Sequence, residues 1–361
     1  MKPYVFVIAL LSVLSCFSQE CYVEDTTAVN LKSATSGYTP GSPVKYVRII
    51  IHFIQKDDGT GNFNEENDGM TPANDFSGYD YANYIVDYAN YLLANNQPMR
   101  LQPFGEVPVY DPGYRYKLSG VFFWKNSTLY YSSALNSLFN NYGQSTNSAI
   151  NIFITSPQGS IGGYARWIGD KTVLLFKPYV NYIESVNNNN NSWYNRASAI
   201  IINHEIGHCL NLYHTLMTNS GICKADWDDF CDDTPTIQQM LDLSEPNPYC
   251  WNDVHCSNNL MDYNANMQSI TPDQLDHIHS ALDNEKANFI TCNYQTISLN
   301  ISTFENNSEA HIAKYITVSG SSAVIPNGKT IYMEGDEVTL NSGFEVETGG
   351  KLNILINPEC N

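Results

Sequence analysis

The sequence predicts an α+β domain followed by a small all-β module. Over residues 45–293, runs rich in β-branched residues alternate with segments whose apolar residues recur at helical spacing. Over residues 294–361, short β-type runs alternate with turns such as Asn327-Gly328 and Gly349-Gly350 about every eight residues, without a helical pattern. The change of pattern near residue 294 therefore predicts a domain boundary.

Length and charge narrow the class of protein. The chain has 361 residues, enough for two domains with a sizeable core. Its formal net charge of -19 argues against binding to nucleic acid or to an anionic membrane surface. This acidity is typical of a soluble exported protein, and calcium binding and plain solubility explain it equally well.

Residues 1–19 have the composition of a secretory signal peptide. Lys2 supplies a positive start, an apolar run too short to span a membrane follows, and small residues precede Gln19. An alternative is a lipoprotein signal in which Cys16 is lipidated. Residues 20–44 are polar and predict an extended lead-in, and no other stretch is apolar enough for a transmembrane helix. We therefore expect a secreted or cell-surface protein.

Cysteine usage agrees with export. Removal of the signal segment leaves eight cysteines, and an even number in an exported chain suggests disulfide bonds. Four of them lie in residues 223–256, where bridges would fix a long loop of little regular pattern. Cys-x-x-Cys pairs are missing, which argues against a cysteine-based zinc site. Cys209 is expected to be a buried free thiol.

The first half of the α+β domain is predicted to contain three strands and two helices. In chain order they are a strand at 45–55, a helix at 79–96, a strand at 120–125, a helix at 129–140 and a strand at 149–155. The last strand is expected at the centre of a sheet. His52 lies among apolar residues of the first strand, so we interpret it as a core histidine and not as a ligand.

A hairpin is predicted where residues 160–167 and 171–176 flank a turn. Glycine in a strand allows another backbone to approach closely. We therefore interpret four residues of the first strand as an edge that pairs with an extended peptide substrate: Gly162, Gly163, Tyr164 and Ala165. An ordinary surface hairpin is an equally good interpretation.

A buried helix follows, from about residue 193 or 198 to Leu210. Its Ala199-Ile-Ile-Ile202 run is apolar on every face. The same helix carries two histidines and a glutamate, and buried polar groups must be paired with something. A metal ion meets that need.

The spacing of these residues suits a single zinc ion. His204 and His208 are four residues apart, which places both imidazoles on one helix face. His214 follows six residues later, so the chain must turn between them. Asn211 lies at the place for that turn, and asparagine is the non-glycine residue that best tolerates the left-handed backbone that such a turn requires. Three neutral imidazoles leave zinc an open position for water, whose proton Glu205 takes and later delivers to a leaving amine.

The last helix is predicted to run from Thr271 to about Phe289. Thr271 caps it, proline takes the first helical position and Gln274 completes a capping box. His277 and His279 point to diverging faces, and we interpret them as surface residues. In the C-terminal module, four β-type runs are expected to stack as rungs of a small solenoid or sandwich: 316–318, 330–332, 338–340 and 352–355.

The metal-site residues resemble the metzincin metallopeptidases, whose pattern is His-Glu-x-x-His-x-x-Gly-x-x-His followed by a methionine turn. All three histidines and the glutamate match, Met261 suits the turn, and Asn211 replaces the usual glycine. Within this class the chain is most similar to the pappalysin or cytophagalysin group, peptidase family M43. The similarity rests on Asp232-Asp-Thr-Pro235, Asn259-Leu-Met-Asp-Tyr263 and the cysteine-rich insert, and it covers about residues 45–290.

The resemblance implies a secreted zinc endopeptidase with a twisted mixed sheet and an active-site helix above a loop-rich lower half. It implies that Met261 forms a hydrophobic floor beneath zinc and that Tyr263 stabilises the oxyanion or acts as a displaceable ligand, a packed core tyrosine being the alternative. Hard oxygen ligands suggest a calcium site, with a solvated acidic loop as the even alternative. Its candidate ligands are Asp226, Asp232, Asp233 and Thr234.

Three functions remain in competition, and the third, a zinc hydrolase acting on non-peptide bonds, is disfavoured by the peptide-pairing edge at Gly162 to Ala165. The first is a zinc endopeptidase acting on proteins or peptides. The second is a cell-surface binding or adhesion protein, in which the β module binds a surface or a polymer and the peptidase domain is its scaffold. The complete set of His204, Glu205, His208 and His214 favours the enzyme, because a degenerate peptidase would be expected to lose one of them.

Overall fold

A computed structural model describes most of the chain. The described residues are 38–66, 77–100, 106–156, 162–181, 193–215, 218–219, 222–223, 229–234, 257–262, 267–305 and 307–357. The predicted signal segment with Cys16 lies outside them, as do Tyr263 and Asp226. Within these ranges, no helix combines the length and the apolar character needed to cross a membrane.

A five-stranded mixed sheet lies at the centre of the first domain. Its strands are β1 (Lys45–Gln55), β2 (Tyr114–Lys125), β3 (Ile150–Thr155), β4 (Gly163–Ala165) and β5 (Thr172–Phe176). Their spatial order is β2-β1-β3-β5-β4, and every neighbouring pair is parallel except β4 with β5. The predicted α+β class, the central position of β3 and the hairpin are confirmed, and β4 lies at one edge.

Besides helical residues 178–181, five helices lie in the described part of the chain. They are α1 (Gly78–Ala94), α2 (Ser127–Tyr130), α3 (Leu135–Tyr142), α4 (Trp193–Cys209) and α5 (Pro272–Asn284). A 3-10 turn follows at Ala287–Phe289, and a short hairpin of β6 (Thr218–Asn219) and β7 (Ile222–Cys223) follows α4.

The long helices α1 and α4 cover one face of the sheet. Alternate residues of β1, namely Ile49, Ile51 and Phe53, are completely buried in this layer. Burial of such apolar area is the main favourable contribution to folding. The apolar run of α4 is buried as predicted, and Cys209 at its end is a buried free thiol whose pKa is raised by burial. Disulfide bonds within residues 223–256 stay a prediction.

Part of the opposite face is covered by α2 and α3, against a second apolar cluster. The single helix predicted over residues 129–140 is wrong. Asn126 caps α2 by accepting from the backbone N–H of Leu129, and the Ser132 hydroxyl then accepts from the N–H of Ala134. Serine hydroxyls that bond to nearby backbone compete with helix formation. The chain therefore makes two short helices.

Helix α5 begins with the predicted capping box of Thr271 and Gln274. The interpretation of His277 and His279 as surface residues is wrong, since both are buried. Nε2–H of His279 donates to the carbonyl of Pro112 (2.8 Å), and that of His277 donates to the carbonyl of Phe230 (3.0 Å). Loops distant in sequence cover both sides of α5, which its own pattern did not reveal.

The C-terminal module is a parallel β-solenoid. Its strands are β8 (Ser298–Ile301), β9 (Glu309–Ile312), β10 (Tyr315–Val318), β11 (Val324–Ile325), β12 (Thr330–Gly335), β13 (Glu337–Leu340), β14 (Glu345–Val346) and β15 (Lys351–Ile356). They form three sheets, β13-β10-β8, β11-β14 and β15-β12-β9, and all pairs are parallel. Parallel stacking of successive turns selects the solenoid over the sandwich.

The solenoid packs on the part of the sheet that α2 and α3 leave open. Tyr332 of β12 contacts Phe122 of β2, with ring centroids 5.3 Å apart, and Ile50 of β1 is completely buried in the same cluster. The Ser145 hydroxyl donates to the carbonyl of Ala310 (2.8 Å). The interface between the two domains is therefore apolar at its centre.

An ion pair is buried beside this apolar contact. Nε of Arg48 on β1 lies 2.6 Å from Oε1 of Glu334 on β12, and the two side chains are 0% and 1% exposed. Nη1 of Arg48 donates to three backbone carbonyls just after α5, those of Asn288, Ile290 and Asn293. Arg48 thus joins the sheet, the end of the α+β domain and the solenoid.

Candidate metal centre

The three histidines predicted as metal ligands lie together. Nε2 of His214 is 3.0 Å from Nε2 of His204 and 2.9 Å from Nε2 of His208. All three side chains are buried. Among the residues that the structure describes, they form the one group of His, Cys, Asp or Glu side chains placed to hold a metal ion.

Backbone carbonyls fix the orientation of two of the rings. Nδ1 of His204 lies 2.7 Å from the carbonyl oxygen of Leu260, and Nδ1 of His208 lies 2.8 Å from that of Leu212. A carbonyl only accepts, so Nδ1 carries the proton and the Nε2 lone pair faces the centre. Hydrogen bonds of this kind set the tautomer of a ligating histidine.

The electrostatics of the site favour neutral rings. Burial lowers the pKa of His204 to about 4. Burial, with a smaller contribution from the neighbouring histidines, lowers the pKa of His208 and of His214 well below the ordinary value. Neutral imidazoles are the form that binds metal.

The arrangement fits a tetrahedral zinc ion. Zinc–nitrogen bonds of about 2.0–2.1 Å place two ligand nitrogens about 3.3 Å apart, close to the separations observed here. Converging lone pairs repel one another unless a cation lies between them. The donor set is therefore suited to zinc.

A left-handed turn carries the chain from the helix to the third histidine. Asn211 has φ of 69°, which confirms the predicted conformation. The turn is closed by hydrogen bonds from the N–H of Asn211 to the carbonyl of His208 (3.2 Å) and from the N–H of Leu212 to the carbonyl of Gly207 (3.0 Å). The second bond places the Leu212 carbonyl where it holds His208.

Glu205 and Met261 are buried residues on or against the helix that carries His204 and His208. Glu205 follows His204 on α4 and is completely buried. Met261 is also completely buried, and a Cβ added to Gly207 would lie 2.6 Å from its sulfur. Met261 thus packs on α4 between the helical histidines. Tyr263, two residues later, lies outside the described residues.

Asn259, which the sequence marks as part of a family motif without giving it a role, holds the methionine segment. Oδ1 of Asn259 accepts from the N–H of Met261 (2.9 Å), and the Asn259 amide exchanges two hydrogen bonds of 2.9 Å with the amide of Gln274 on α5. The carbonyls of Leu260 and Leu212 were also missed. Backbone carbonyls leave no signal in a sequence, and a lone asparagine leaves a weak one.

The predicted edge strand lies against the metal-binding helix. A Cβ added to Gly163 would be 2.7 Å from the carbonyl oxygen of Leu174 on β5 and 2.8 Å from Cγ2 of Ile201 on α4. Gly163 is therefore packed closely against β5 and α4 within the protein itself. Gly162 precedes the strand, and Tyr164 and Ala165 are buried within it. Pairing of this edge with a peptide stays a prediction.

The candidate calcium residues have hydrogen-bond partners of their own. The Thr234 hydroxyl lies 2.8 Å from a carboxylate oxygen of Asp229. The N–H of Asp232 donates to Asp273, and the N–H of Asp273 donates to Asp233, both at 2.9 Å. Asp226 lies outside the described residues, so calcium stays a prediction.

A family model matches the part of the chain that contains the metal centre. The model of the M43 peptidase family, described as pregnancy-associated plasma protein-A, matches residues 164–283. The chain is similar to the structure of Tannerella forsythia mature mirolysin in complex with a cleaved peptide, with 16% identity, a TM-score of 0.43 and coverage of 69% of this chain and 95% of that one. A promirolysin mutant of Tannerella forsythia gives 16% identity, a TM-score of 0.44 and coverage of 70% and 85%. Comparison with curated proteins gives no match.

The metal centre and the sheet beside it indicate the class of protein. Three converging histidines on and after a buried helix, beside a mixed sheet, define a metzincin-type metallopeptidase. The family match is more specific, since residues 164–283, which contain the three histidines, Glu205 and Met261, match the model of the M43 peptidases. A match to this metallopeptidase family implies a catalytic zinc.

Proposed function

We propose that this protein is a secreted zinc endopeptidase in which Glu205 is the general base. The observation that carries the proposal is the convergence of three Nε2 atoms, 2.9 and 3.0 Å apart, at a helix on which the residue after His204 is a completely buried glutamate. A carboxylate on the metal-binding helix, adjacent to a ligand, is the group that such peptidases use for proton transfer.

Each residue has a role in the proposed reaction. His204, His208 and His214 hold zinc, which supplies a Lewis acid that lowers the pKa of water and polarises a peptide carbonyl. Glu205 takes a proton from the attacking water and then delivers it to the leaving amine. Tyr263 stabilises the oxyanion, and Met261 supports the helix from below.

The substrate is proposed to be an extended peptide. The edge strand β4 packs directly on α4, so a chain paired with its outer side would run past the metal centre. The net charge of -19 and the signal-like segment at residues 1–19 support export. Calcium bound near Asp232 and Asp233 is proposed as a structural ion.

The test compares the wild type with Glu205→Ala, each assayed for casein and gelatin cleavage with and without a zinc chelator. We expect chelator-sensitive cleavage by the wild type and its loss in Glu205→Ala, with zinc binding retained. Glu337→Ala, at an exposed glutamate of β13, is the matched control and should keep full activity. Cleavage by Glu205→Ala would rule out the general-base role, and an inactive wild type would rule out the endopeptidase.

A further inference from the structure

The turn that leads to His214 is held by a side chain from another helix. Nδ2 of Asn211 donates to Oε1 of Glu285 (2.8 Å), the residue that follows α5. Asn211 is buried, whereas Glu285 is exposed to solvent at the surface. The metal-binding turn is therefore tied to a helix that lies 74 residues further along the chain.

A second connection runs beside the first. The N–H of Gly169, in the β4–β5 turn, donates to the carbonyl of His208 (2.8 Å). The carbonyl of Gly169 accepts from the ammonium group of Lys286 (2.6 Å), which is the neighbour of Glu285. A Cβ added to Gly169 would lie 2.7 Å from Oδ1 of Asn211. The hairpin turn, the metal-binding turn and the end of α5 thus meet at Asn211.

The side chain of Asn211 makes a hydrogen bond that glycine at this position could not make. Glycine adopts a positive φ without strain, so backbone conformation alone does not call for a side chain at position 211. A buried amide is costly unless it is hydrogen-bonded, and its donor finds a carboxylate, a stronger acceptor than a neutral group. The amide adds a tie that glycine lacks.

Helix α5 contacts the segments beside two of the three histidines, His204 and His214. At its start, Gln274 holds Asn259, which in turn holds the segment whose Leu260 carbonyl orients His204. At its end, Glu285 holds Asn211 and with it the turn that delivers His214. One helix therefore contacts both the segment that orients His204 and the turn that leads to His214.

We propose that Asn211 and Glu285 form a clamp that positions His214, and that this clamp sets the affinity of the centre for zinc. The inference rests on the zinc site of the proposed function. Both are positioning residues, since they act through the turn that carries His214. Partners that orient metal ligands typically change metal affinity by about 10- to 100-fold when they are lost.

The experiment is a double-mutant cycle read by zinc affinity. Asn211→Gly keeps the positive φ accessible and deletes the amide, while Glu285→Ala deletes the acceptor at an exposed position. Zinc dissociation constants are measured on metal-free protein by competition with a chromophoric chelator. We expect each single variant to bind zinc about tenfold more weakly and the double variant to bind no more weakly than either. Thermal unfolding without metal checks that each variant is folded.

Two controls separate the clamp from general effects at the end of α5. Glu285→Gln keeps an acceptor for Asn211 and should stay within about twofold of the wild type. Asn284→Ala removes a neighbouring amide whose hydrogen bonds, within the described residues, go to Ser280 of its own helix, and it should behave like the wild type.

Each outcome has a distinct meaning. Single variants within about twofold of the wild type, or effects that multiply in the double variant, overturn the clamp. If Asn211→Gly is unfolded, the contrast between Glu285→Ala and Glu285→Gln decides. A wild type that binds zinc and shows the cycle but does not cleave casein refutes the proposed function and leaves the clamp standing. A wild type that does not bind zinc overturns both.

Discussion

At the scale of single residues, two kinds of buried histidine differ in what their nitrogens meet. Trp124 can only donate, so its Nε1–H donates to Nδ1 of His52 (3.1 Å), and Nε2–H of His52 donates to Oδ1 of Asn151 (2.9 Å). His52 therefore has both nitrogens satisfied by protein. His204 has one nitrogen on a carbonyl and the other directed to a shared centre, which is the signature of a ligand.

His52 should make the protein sensitive to acid. Burial lowers its pKa from 6.5 to about 3. Below pH 6.5 His52 binds a proton in the unfolded chain but not in the folded protein. The free energy of unfolding therefore falls as the pH falls towards 3. Between pH 8 and pH 5 the loss due to His52 should be about 2 kcal/mol. Urea unfolding of the zinc-loaded wild type and of His52→Gln at both pH values measures it.

The comparison is made between pH dependences and not between absolute stabilities. His52→Gln loses ring packing against Phe153 and is expected to be less stable than the wild type at pH 8. Its further loss between pH 8 and pH 5 should be smaller by about 2 kcal/mol. Equal losses in the two proteins would show that His52 titrates normally in the folded state.

Some residues of the metal centre could be predicted from the sequence and others could not, because only some of them have a local sequence signal. The positions of His204 and His208 follow from helix periodicity, and the turn at Asn211 follows from its backbone preference. The Leu260 and Leu212 carbonyls have no side-chain signal, and Glu285 is brought in by tertiary packing alone. Local pattern therefore predicts the ligands and not the partners that orient them.

At the scale of elements, the same division holds. Strands β1, β3 and β5 and the capped start of α5 were predicted because their signals are local. The surface interpretation of His277 and His279 failed because loops distant in sequence cover α5. The solenoid was separated from the sandwich by strand pairing between residues about two dozen positions apart, which no single run encodes.

The contact between β4 and α4 should be sensitive to size at Gly163. Its added Cβ would meet a backbone oxygen of β5 and Ile201 of α4, neither of which can move without shifting an element. Overpacking of this kind typically costs about 1–3 kcal/mol. We expect Gly163→Ala to lower the thermal unfolding temperature and Gly163→Val to lower it further. Casein cleavage should fall in the same order, because the edge strand is pushed from the metal centre.

Comparison of Gly163→Ala with Gly163→Val supplies the control. Both variants remove the same glycine flexibility, so a common effect reports the backbone and a difference reports side-chain volume. Wild-type unfolding temperature and activity in Gly163→Val would show that β4 is free to move away from α4. That result would also remove support for β4 as the strand that positions a peptide.

At the scale of the whole molecule, the solenoid and the α+β domain share a buried surface. The predicted limits of 45–293 and 294–361 stay a prediction, since nothing tests where each part ends as a folding unit. The buried pair of Arg48 and Glu334 nevertheless spans them. Amide Nδ2 of Asn357, after the last strand, also donates to Oε1 of Glu334 (3.1 Å). Loss of the solenoid would leave the Arg48 charge facing solvent from the middle of an apolar sheet face.

This pairing predicts that a change in the solenoid unfolds the peptidase. Removing one partner of a buried ion pair leaves an uncompensated charge and typically costs about 3–5 kcal/mol. We expect Glu334→Ala to lower the urea midpoint of the whole chain in one transition, followed by tryptophan fluorescence and by loss of casein cleavage. Glu334→Gln keeps an acceptor for Nε of Arg48 and should cost less. Glu337→Ala, at an exposed position of β13, should leave the midpoint unchanged. The opposite result would be two separate unfolding transitions, in which the urea midpoint of the transition that abolishes cleavage is the same in Glu334→Ala as in the wild type. That result would mean that the domains fold independently and that the buried pair does not couple them.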